Sequence, residues 1–331
     1  MFLRTAALAA FIIVFFVCPK PGLSASLDAK SLQHDIEQIT GEFDGRVGAC
    51  IELGQETACT RATERFSLQS VMKLLVGIAV LYAVDRRGWD LEEKVTVRRE
   101  DLSLYVQPLA KLVGDKGFET TIGDLVRRAV IHSDSAATDV LVARLGGPEA
   151  VQATLNRLNL KEVRLDRDER HLQTEIVGLT WRAEFVDAAV LDKAIAAAPE
   201  SVREEAYGAY RGDERDTATP RGMASLLSRL FAGNLLSKSS TTFMVKAMED
   251  CVTFPNRLPA GAPAPWKVAH KTGTSSSWKG LTAATNDVGV LTSPDGAQIA
   301  VAVFVGDSRA TSEERSAIIA RIAALAVKHY R

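Results

Sequence analysis

A serine and a lysine three positions apart are the first residues in this sequence that could carry out chemistry together. Ser70 and Lys73 lead into an apolar stretch typical of a helix. Residues three apart on a helix share a face, so the hydroxyl and the amine can meet. A lysine in a partly dry cleft can accept the serine proton, which predicts a nucleophilic serine. The same spacing recurs at Ser276 and Lys279, but in a serine-rich turn between strands.

Two further short motifs carry polar groups that a nucleophilic site would use. Ser133 and Ser135 flank an aspartate between two helical stretches, where one hydroxyl can relay a proton and the other can bind a substrate. An ordinary helix N-cap is the alternative interpretation of this cluster. Residues 271–274, Lys-Thr-Gly-Thr, follow an apolar strand. Their lysine can attract an anionic substrate and their glycine lets a ligand approach the backbone, although a charged strand end is the plain alternative.

These three motifs occur in the order found in class A β-lactamases and penicillin-binding proteins. On them the sequence resembles a class A serine β-lactamase, over nearly all of residues 26–331. Residues 164–169, Arg-Leu-Asp-Arg-Asp-Glu, resemble the start of the family's omega loop. The resemblance implies that Glu169 activates the water that releases the acyl group, and that Arg167 and Asp216 form the ion pair closing this loop.

The resemblance also implies the catalytic roles. Ser70 is the nucleophile, and Lys73 is the base for acylation, with Glu169 acting through water as the alternative. Ser133 passes a proton to the β-lactam nitrogen. The backbone N–H groups of Ser70 and Thr274 form the oxyanion hole.

Substrate binding is assigned by the same resemblance to several segments. The implied contacts are Ser135, Gln173, Lys271, Thr272, Gly273 and Thr274, with Lys279 and Tyr105 as further candidates. Ser135 replaces the family's usual Asn, and Gln173 stands where the family usually has an Asn that holds the water. Lys279 stands roughly where the family has an arginine, and it keeps the charge but loses the bidentate fork. Tyr105 either walls the cleft or is a plain packing aromatic. No metal or cofactor is implied.

Strands at both ends of the chain and helices between them predict the architecture. We expect an α/β protein of the α+β type, in which an antiparallel sheet built from the N- and C-terminal segments is flanked by helices. An all-helical domain is inserted into it, with the active site between the two. The predicted sheet domain comprises residues 26–68 and 250–331, and the helical domain residues 69–249.

Residues 174–214 are much longer than the segment the family usually has at this place. Two helical patterns, at 181–197 and 201–210, carry an apolar stripe that predicts packing against the body of the protein. Our hypothesis is a helical flap beside the active-site mouth, and the alternative is a surface elaboration without a catalytic role.

Composition and the N-terminus set the class of protein. Of the 331 residues, 47% are hydrophobic and 24% are charged, which is an ordinary globular balance. A formal net charge of −1 argues against a nucleic acid or an anionic membrane surface as partner. Residues 1–25 combine a basic start, a short apolar run and a small-residue exit, and they predict a secretory signal peptide. We expect a monomer that is exported to the periplasm of a Gram-negative bacterium, acts on a small-molecule β-lactam and is not anchored in a membrane once the signal is removed.

Export permits disulfide bonds. Cys50 and Cys59 flank a tight turn, so they either form a disulfide across a hairpin or remain two free thiols.

Two other functions fit the same motifs. A penicillin-interacting D-alanyl-D-alanine peptidase would keep them but release β-lactams slowly, and Glu169 argues against it. A non-hydrolytic β-lactam-binding sensor or decayed homologue would form an adduct and never release it.

Overall fold

The computed structural model describes residues 25–331, so the predicted signal peptide lies, except for its last residue, outside the described part. The helices are α1 Ala29–Gly41, α2 Met72–Arg87, α3 Ile122–Ile131, α4 Ser135–Leu145, α5 Pro148–Arg157, α6 Glu169–Ile176, α7 Ala188–Ala197, α8 Glu200–Arg211, α9 Pro220–Phe231, α10 Lys238–Glu249, α11 Leu258–Gly261 and α12 Ser312–Lys328. The strands are β1 Arg46–Leu53, β2 Glu56–Thr60, β3 Phe66–Ser67, β4 Lys94–Val97, β5 Phe118–Thr121, β6 Thr217–Ala218, β7 Lys267–Thr274, β8 Ser277–Trp278, β9 Leu281–Thr282, β10 Thr285–Thr292 and β11 Gln298–Gly306. None of the helices in this range is long and apolar enough to cross a membrane.

The central sheet joins the two ends of the chain. Its order is β2-β1-β11-β10-β7, and every neighbouring pair is antiparallel. After its exposed first residue, Gln298, the strand β11 is apolar and buried, because both faces of the sheet are covered. Val301, Val303 and Val305 pack with α1 and α12, whereas Ala302 and Phe304 belong to the larger core on the opposite face. The predicted antiparallel sheet, flanked by helices and built from both ends of the chain, is confirmed. The inserted part is mostly helical but not all-helical as predicted, because it also contains the short strands β4, β5 and β6.

The helical part is organised around α2, which is apolar almost all round and is buried over most of its length. A helix without a polar face must be enclosed by other elements. Here α3, α4, α5 and α10 enclose it. Its N-terminus, where Ser70 and Lys73 lie, therefore has a fixed position between the helices and strand β7.

The strands β9 and β10 are separated after Thr282, because Thr282 exchanges backbone hydrogen bonds with Ser308. At the same place the backbone N–H of Ala283 donates to the Tyr207 hydroxyl at 2.9 Å. In addition, α9 packs on the sheet against β1 and β11, so a helix from within residues 69–249 belongs to the packing of the sheet.

The long segment 174–214 forms two helices, α7 and α8, preceded by a short 3₁₀ turn. Phe185 of this turn and Leu191 of α7 form a small core with Leu104. On α8, Tyr207 and Tyr210 are buried. The segment packs against the body of the protein, as its apolar stripe predicts.

Cys50 and Cys59 are directly opposed residues of β1 and β2 and form a disulfide. Disulfides persist in oxidising compartments, so the bond fits a protein that works outside the cytoplasm.

Removing this disulfide should destabilise the protein by about 2–3 kcal/mol, because the closed loop is short and restricts the unfolded chain only moderately. Urea unfolding of the wild type with and without reductant, and of the double variant Cys50→Ala/Cys59→Ala, measures this difference. Equal urea midpoints for the oxidised wild type and the double variant would contradict this expectation.

Candidate active site

The nucleophile candidate lies in a 3₁₀ turn, Gln69–Val71, that runs directly into α2. One helical turn later, the Lys73 Nζ donates to the Ser70 Oγ at 2.8 Å. The predicted sharing of a face is thus realised. The turn is held from β7: a Cβ on Gly273 would lie 2.4 Å from the Leu68 carbonyl oxygen, so only glycine permits this approach.

Lys73 is fully buried, and its ammonium group has three partners. Besides Ser70, it donates to the Ser135 Oγ at 3.2 Å and pairs with the Glu169 Oε1 at 2.7 Å. Two of its three N–H donors are taken by the serine hydroxyls, and the contact with Glu169 is an ion pair. The lysine connects the nucleophile to the carboxylate.

The Ser133–Ser135 cluster combines both interpretations of its sequence. Asp134 is the N-cap of α4 and accepts from the Ala137 N–H at 3.0 Å. Its second oxygen accepts from the Leu109 N–H at 2.6 Å. The aspartate therefore caps the helix and fixes the two flanking serines, whose hydroxyls face Lys73 and Lys271.

Lys271 approaches the same site from β7. Its Nζ donates to the Ser133 Oγ at 3.0 Å and to the Thr272 carbonyl oxygen at 2.8 Å. Burial lowers the pKa of Lys271 to about 8, against attraction from neighbouring groups of opposite charge. Its charge consequently depends on pH just above neutrality.

Glu169 begins α6 and is buried. Its backbone N–H donates to the Asp139 Oδ1 at 2.8 Å, and Asp168 caps the helix through the His171 N–H. The Gln173 Nε2 donates to the Glu169 Oε2 at 3.3 Å. The carboxylate is thus fixed through the backbone as well as through both of its oxygens.

The loop that carries Glu169 is closed at its base by charge. The Arg167 Nε lies 2.6 Å from the Asp216 Oδ2. Asp216 also accepts from the N–H groups of Asp166 and Arg167 at 2.7 and 3.0 Å. Since the pair is buried, removing one partner would leave an uncompensated charge. The ion pair implied by the resemblance is present.

An open cavity lies above these groups. It is lined by Ser70, Tyr105, Val106, Ser135, Glu169, Gln173, Thr274, Ser275 and Ser276. Tyr105 is 54% exposed, which suits a cleft wall better than a packing role. Lys271 and Gly273 are buried beside the cavity and are not among its lining residues.

Two of the candidate binding residues lie elsewhere. The Thr272 hydroxyl pairs with the Thr253 hydroxyl at 2.6 Å and does not line the cavity. Lys279 pairs with Glu200 at 2.8 Å and Glu204 at 3.0 Å on α8. The structure therefore uses Lys279 to hold α8, and it does not bring this cation to the cavity.

Sequence reasoning missed two residues that support the site. Arg257 is fully buried, and its Nη2 donates to the Thr274 Oγ1 at 2.8 Å, so it supplies a cation behind the cavity wall. It lies in a Pro/Gly-rich loop with no local pattern. Asp139 binds the start of α6, and burial, together with the charge of Asp168, raises its pKa to about 7. Its only sequence signal is the helical spacing from Ser135.

The arrangement is that of a covalent hydrolase. It has a nucleophilic hydroxyl with a lysine beside it, a carboxylate that can act as a further base, and the cation of Lys271 next to the cavity. Within residues 25–331, no group of three or more His, Cys, Asp or Glu side chains is arranged to hold a metal ion.

Comparisons with known proteins agree with this geometry. The model of the β-lactamase enzyme family matches residues 31–330. β-Lactamase VEB-1 of Pseudomonas aeruginosa is 30% identical over 89% of each chain. The extended-spectrum β-lactamase PER-1 of the same species is 33% identical over 78% of this chain and 74% of its own. A β-lactamase structure from Chitinophaga pinensis is 27% identical with a TM-score of 0.73, covering 89% of this chain and 97% of that one.

The lowered pKa of Lys271 predicts an alkaline loss of activity. Above pH of about 8, kcat/KM for a carboxylate-bearing β-lactam should fall, because the neutral amine no longer attracts the carboxylate. A pH profile of kcat/KM checks this, and Lys271→Arg, which stays charged, should move the alkaline limb upward. A profile of kcat/KM that stays flat to pH 9.5 would refute the assignment of Lys271 as the cation that attracts the substrate carboxylate.

Proposed function

The chain belongs to the β-lactamase enzyme family as a class A serine β-lactamase, and from that premise we propose how its own residues open and release the β-lactam ring. One observation carries the proposal: the Lys73 ammonium contacts both the Ser70 hydroxyl and the Glu169 carboxylate. A nucleophile and two groups able to carry its proton thus form one connected unit.

Acylation begins with the Ser70 Oγ attacking the lactam carbonyl carbon. Lys73 is an ammonium group beside Glu169, so it first passes a proton to this carboxylate and then, as a neutral amine, accepts the proton of the Oγ. The alternative acceptor of this proton is a water that Glu169 holds. The N–H groups of Ser70 and Thr274 stabilise the oxyanion. As the C–N bond breaks, Ser133 passes a proton to the lactam nitrogen and recovers one from the protonated base, while Lys271 polarises this serine.

Deacylation uses Glu169 as the general base. A water placed between its carboxylate and the ester loses a proton to Glu169 and attacks the acyl carbon. The bond between this carbon and the Ser70 Oγ then breaks, and the Oγ takes back the proton from Glu169. Gln173 donates to the same carboxylate and orients it. A buried second base distinguishes this site from that of a D-alanyl-D-alanine peptidase, which releases β-lactams slowly. It equally disfavours a sensor that never releases its adduct.

The substrate carboxylate is bound on the β7 side of the cavity. Lys271 supplies charge and Thr274 a hydroxyl, while Arg257 adds a second cation behind Thr274. Ser135 and Tyr105 contact the remainder of the substrate from the opposite wall. Thr272 and Gly273 shape this edge of the cavity through their backbone. Lys279 does not contact the substrate, and its role is to hold α8 in place through Glu200 and Glu204.

We place the enzyme in the periplasm of a Gram-negative bacterium, as a monomer. The predicted signal peptide and the Cys50–Cys59 disulfide support this location.

Ser70→Ala should abolish turnover and leave the fold intact, because only the attacking oxygen is removed. Intact-mass spectrometry with a slowly released penicillin should show one bound drug on the wild type and none on the variant. An adduct that survives the substitution would place the nucleophile elsewhere.

Glu169→Ala should trap the acyl-enzyme, since removal of a general base costs about 10²–10⁴ in rate. Asp168→Asn is the matched control: it removes the neighbouring carboxylate but keeps a side chain that can cap α6. The adduct should persist on the first variant and clear from the second. Unchanged steady-state hydrolysis in Glu169→Ala would refute the assignment of this base.

A further inference from the structure

The long segment 174–214 contacts both sides of the active-site mouth. Its 3₁₀ turn and α7 pack on Leu104, next to Tyr105. On the other side, the Tyr207 hydroxyl of α8 lies 3.0 and 2.9 Å from the carbonyl oxygens of Ser276 and Leu281, either of which can accept its proton. The segment is therefore anchored at two places around the cavity.

A second tyrosine of α8, Tyr210, reaches the base of the same site. Its hydroxyl lies 2.7 Å from the Ser67 Oγ and accepts a hydrogen bond from the Gln69 Nε2. The Gln69 Oε1 in turn accepts from the Gln173 Nε2 at 3.0 Å. Gln173 donates to the Glu169 Oε2 as well. A continuous chain of hydrogen bonds runs from the added helix to the general base.

The direction of these bonds is set by Glu169, whose carboxylate can only accept, and Tyr210 completes them at the other end. Gln173 directs its NH₂ group to Glu169 and to the Gln69 oxygen, so the Gln69 NH₂ group faces Tyr210. Without the tyrosine oxygen, this buried NH₂ group would lose its acceptor, and Gln69 would no longer be held against Gln173.

Tyr210 is suited to this task by its burial. The side chain is 5% exposed, and burial raises the pKa of its phenol. The hydroxyl consequently stays neutral over the working pH range. Whichever of the Tyr210 and Ser67 hydroxyls donates to the other, the Tyr210 oxygen keeps a lone pair to accept from Gln69.

We propose that Tyr210 is a positioning residue for deacylation, which orients Glu169 through Gln69 and Gln173. The proposal rests on the function assigned above to Glu169. The proposal gives segment 174–214 a role in catalysis. Its helix α8 supports the general base through Tyr210, and the loop between Arg167 and Gln173 contains no such support.

The test is Tyr210→Phe, which keeps the ring and removes the hydroxyl. With a penicillin whose deacylation is rate-limiting, the acyl-enzyme half-life should lengthen about tenfold. Because slower deacylation lowers kcat and KM by the same factor, kcat/KM should stay within about twofold of the wild type. A purely structural role would instead reduce the amount of active enzyme and leave the half-life of the adduct unchanged.

Tyr207→Phe is the matched control, since it removes a buried hydroxyl from the same helix outside this chain of hydrogen bonds. It should leave the acyl-enzyme half-life unchanged and move only kcat/KM. Gln69→Met, which breaks the chain at its centre, should lengthen the half-life as Tyr210→Phe does. The double variant should be no slower than Gln69→Met alone, because residues acting through one network are not additive.

The proposal is overturned if Tyr210→Phe and Gln69→Met both release the acyl group at the wild-type rate. It is also overturned if the double variant lengthens the acyl-enzyme half-life by the product of the two single effects. Should Tyr210→Phe fail to fold, Gln69→Met alone decides by the same half-life measurement. Failure of the proposed function has a different signature, namely wild-type enzyme that forms no adduct or Glu169→Ala that clears it normally.

Discussion

The buried Lys73 ammonium is the constraint on which the rest of the site depends. Moving such a charge out of water costs several kcal/mol, and only close, well-directed partners offset this cost. Its three partners come from three separate places: the turn before α2, the start of α4 and the start of α6. Each of these elements must be held in position for the ammonium to be tolerated. The packing of the helical part therefore also fixes the catalytic geometry.

The supports of these elements are themselves polar and buried. Asp134 holds the start of α4, and Asp139 holds the start of α6. The pair Arg167–Asp216 closes the loop that carries Glu169. In a low-dielectric interior, such groups stabilise a structure only when every partner is present. The site is consequently a single network, in which loss of one support is felt at the others. The helix α8 extends this network to a part of the chain that the general fold does not require.

The sequence indicates the candidate catalytic residues more clearly than it indicates the residues that support them. The spacing of Ser70 and Lys73 is a property of one helix, so it can be seen in the sequence. The antiparallel sheet also follows from apolar strands at both ends of the chain. Arg257, in contrast, reaches Thr274 from a loop, and nothing local in its sequence indicates that contact. Lys279 shows the opposite failure: its position suggested a substrate contact, but glutamates on α8 pair with it. Contacts made across an insertion depend on tertiary packing, which one sequence alone does not reveal.

The central place of β11 in the sheet has a consequence for the order in which the molecule matures. Strands β1 and β2 are synthesised early, yet the neighbour of β1 is β11, from the far end of the chain. During translation the first hairpin has an unpaired edge, whereas α2 to α5 can form from contacts that are close in sequence. Lys271 lies on β7, which pairs only with β10 in this sheet, and so it takes its place late. The nascent chain thus carries its nucleophile well before it carries a complete catalytic centre, and activity is a property of the finished polypeptide.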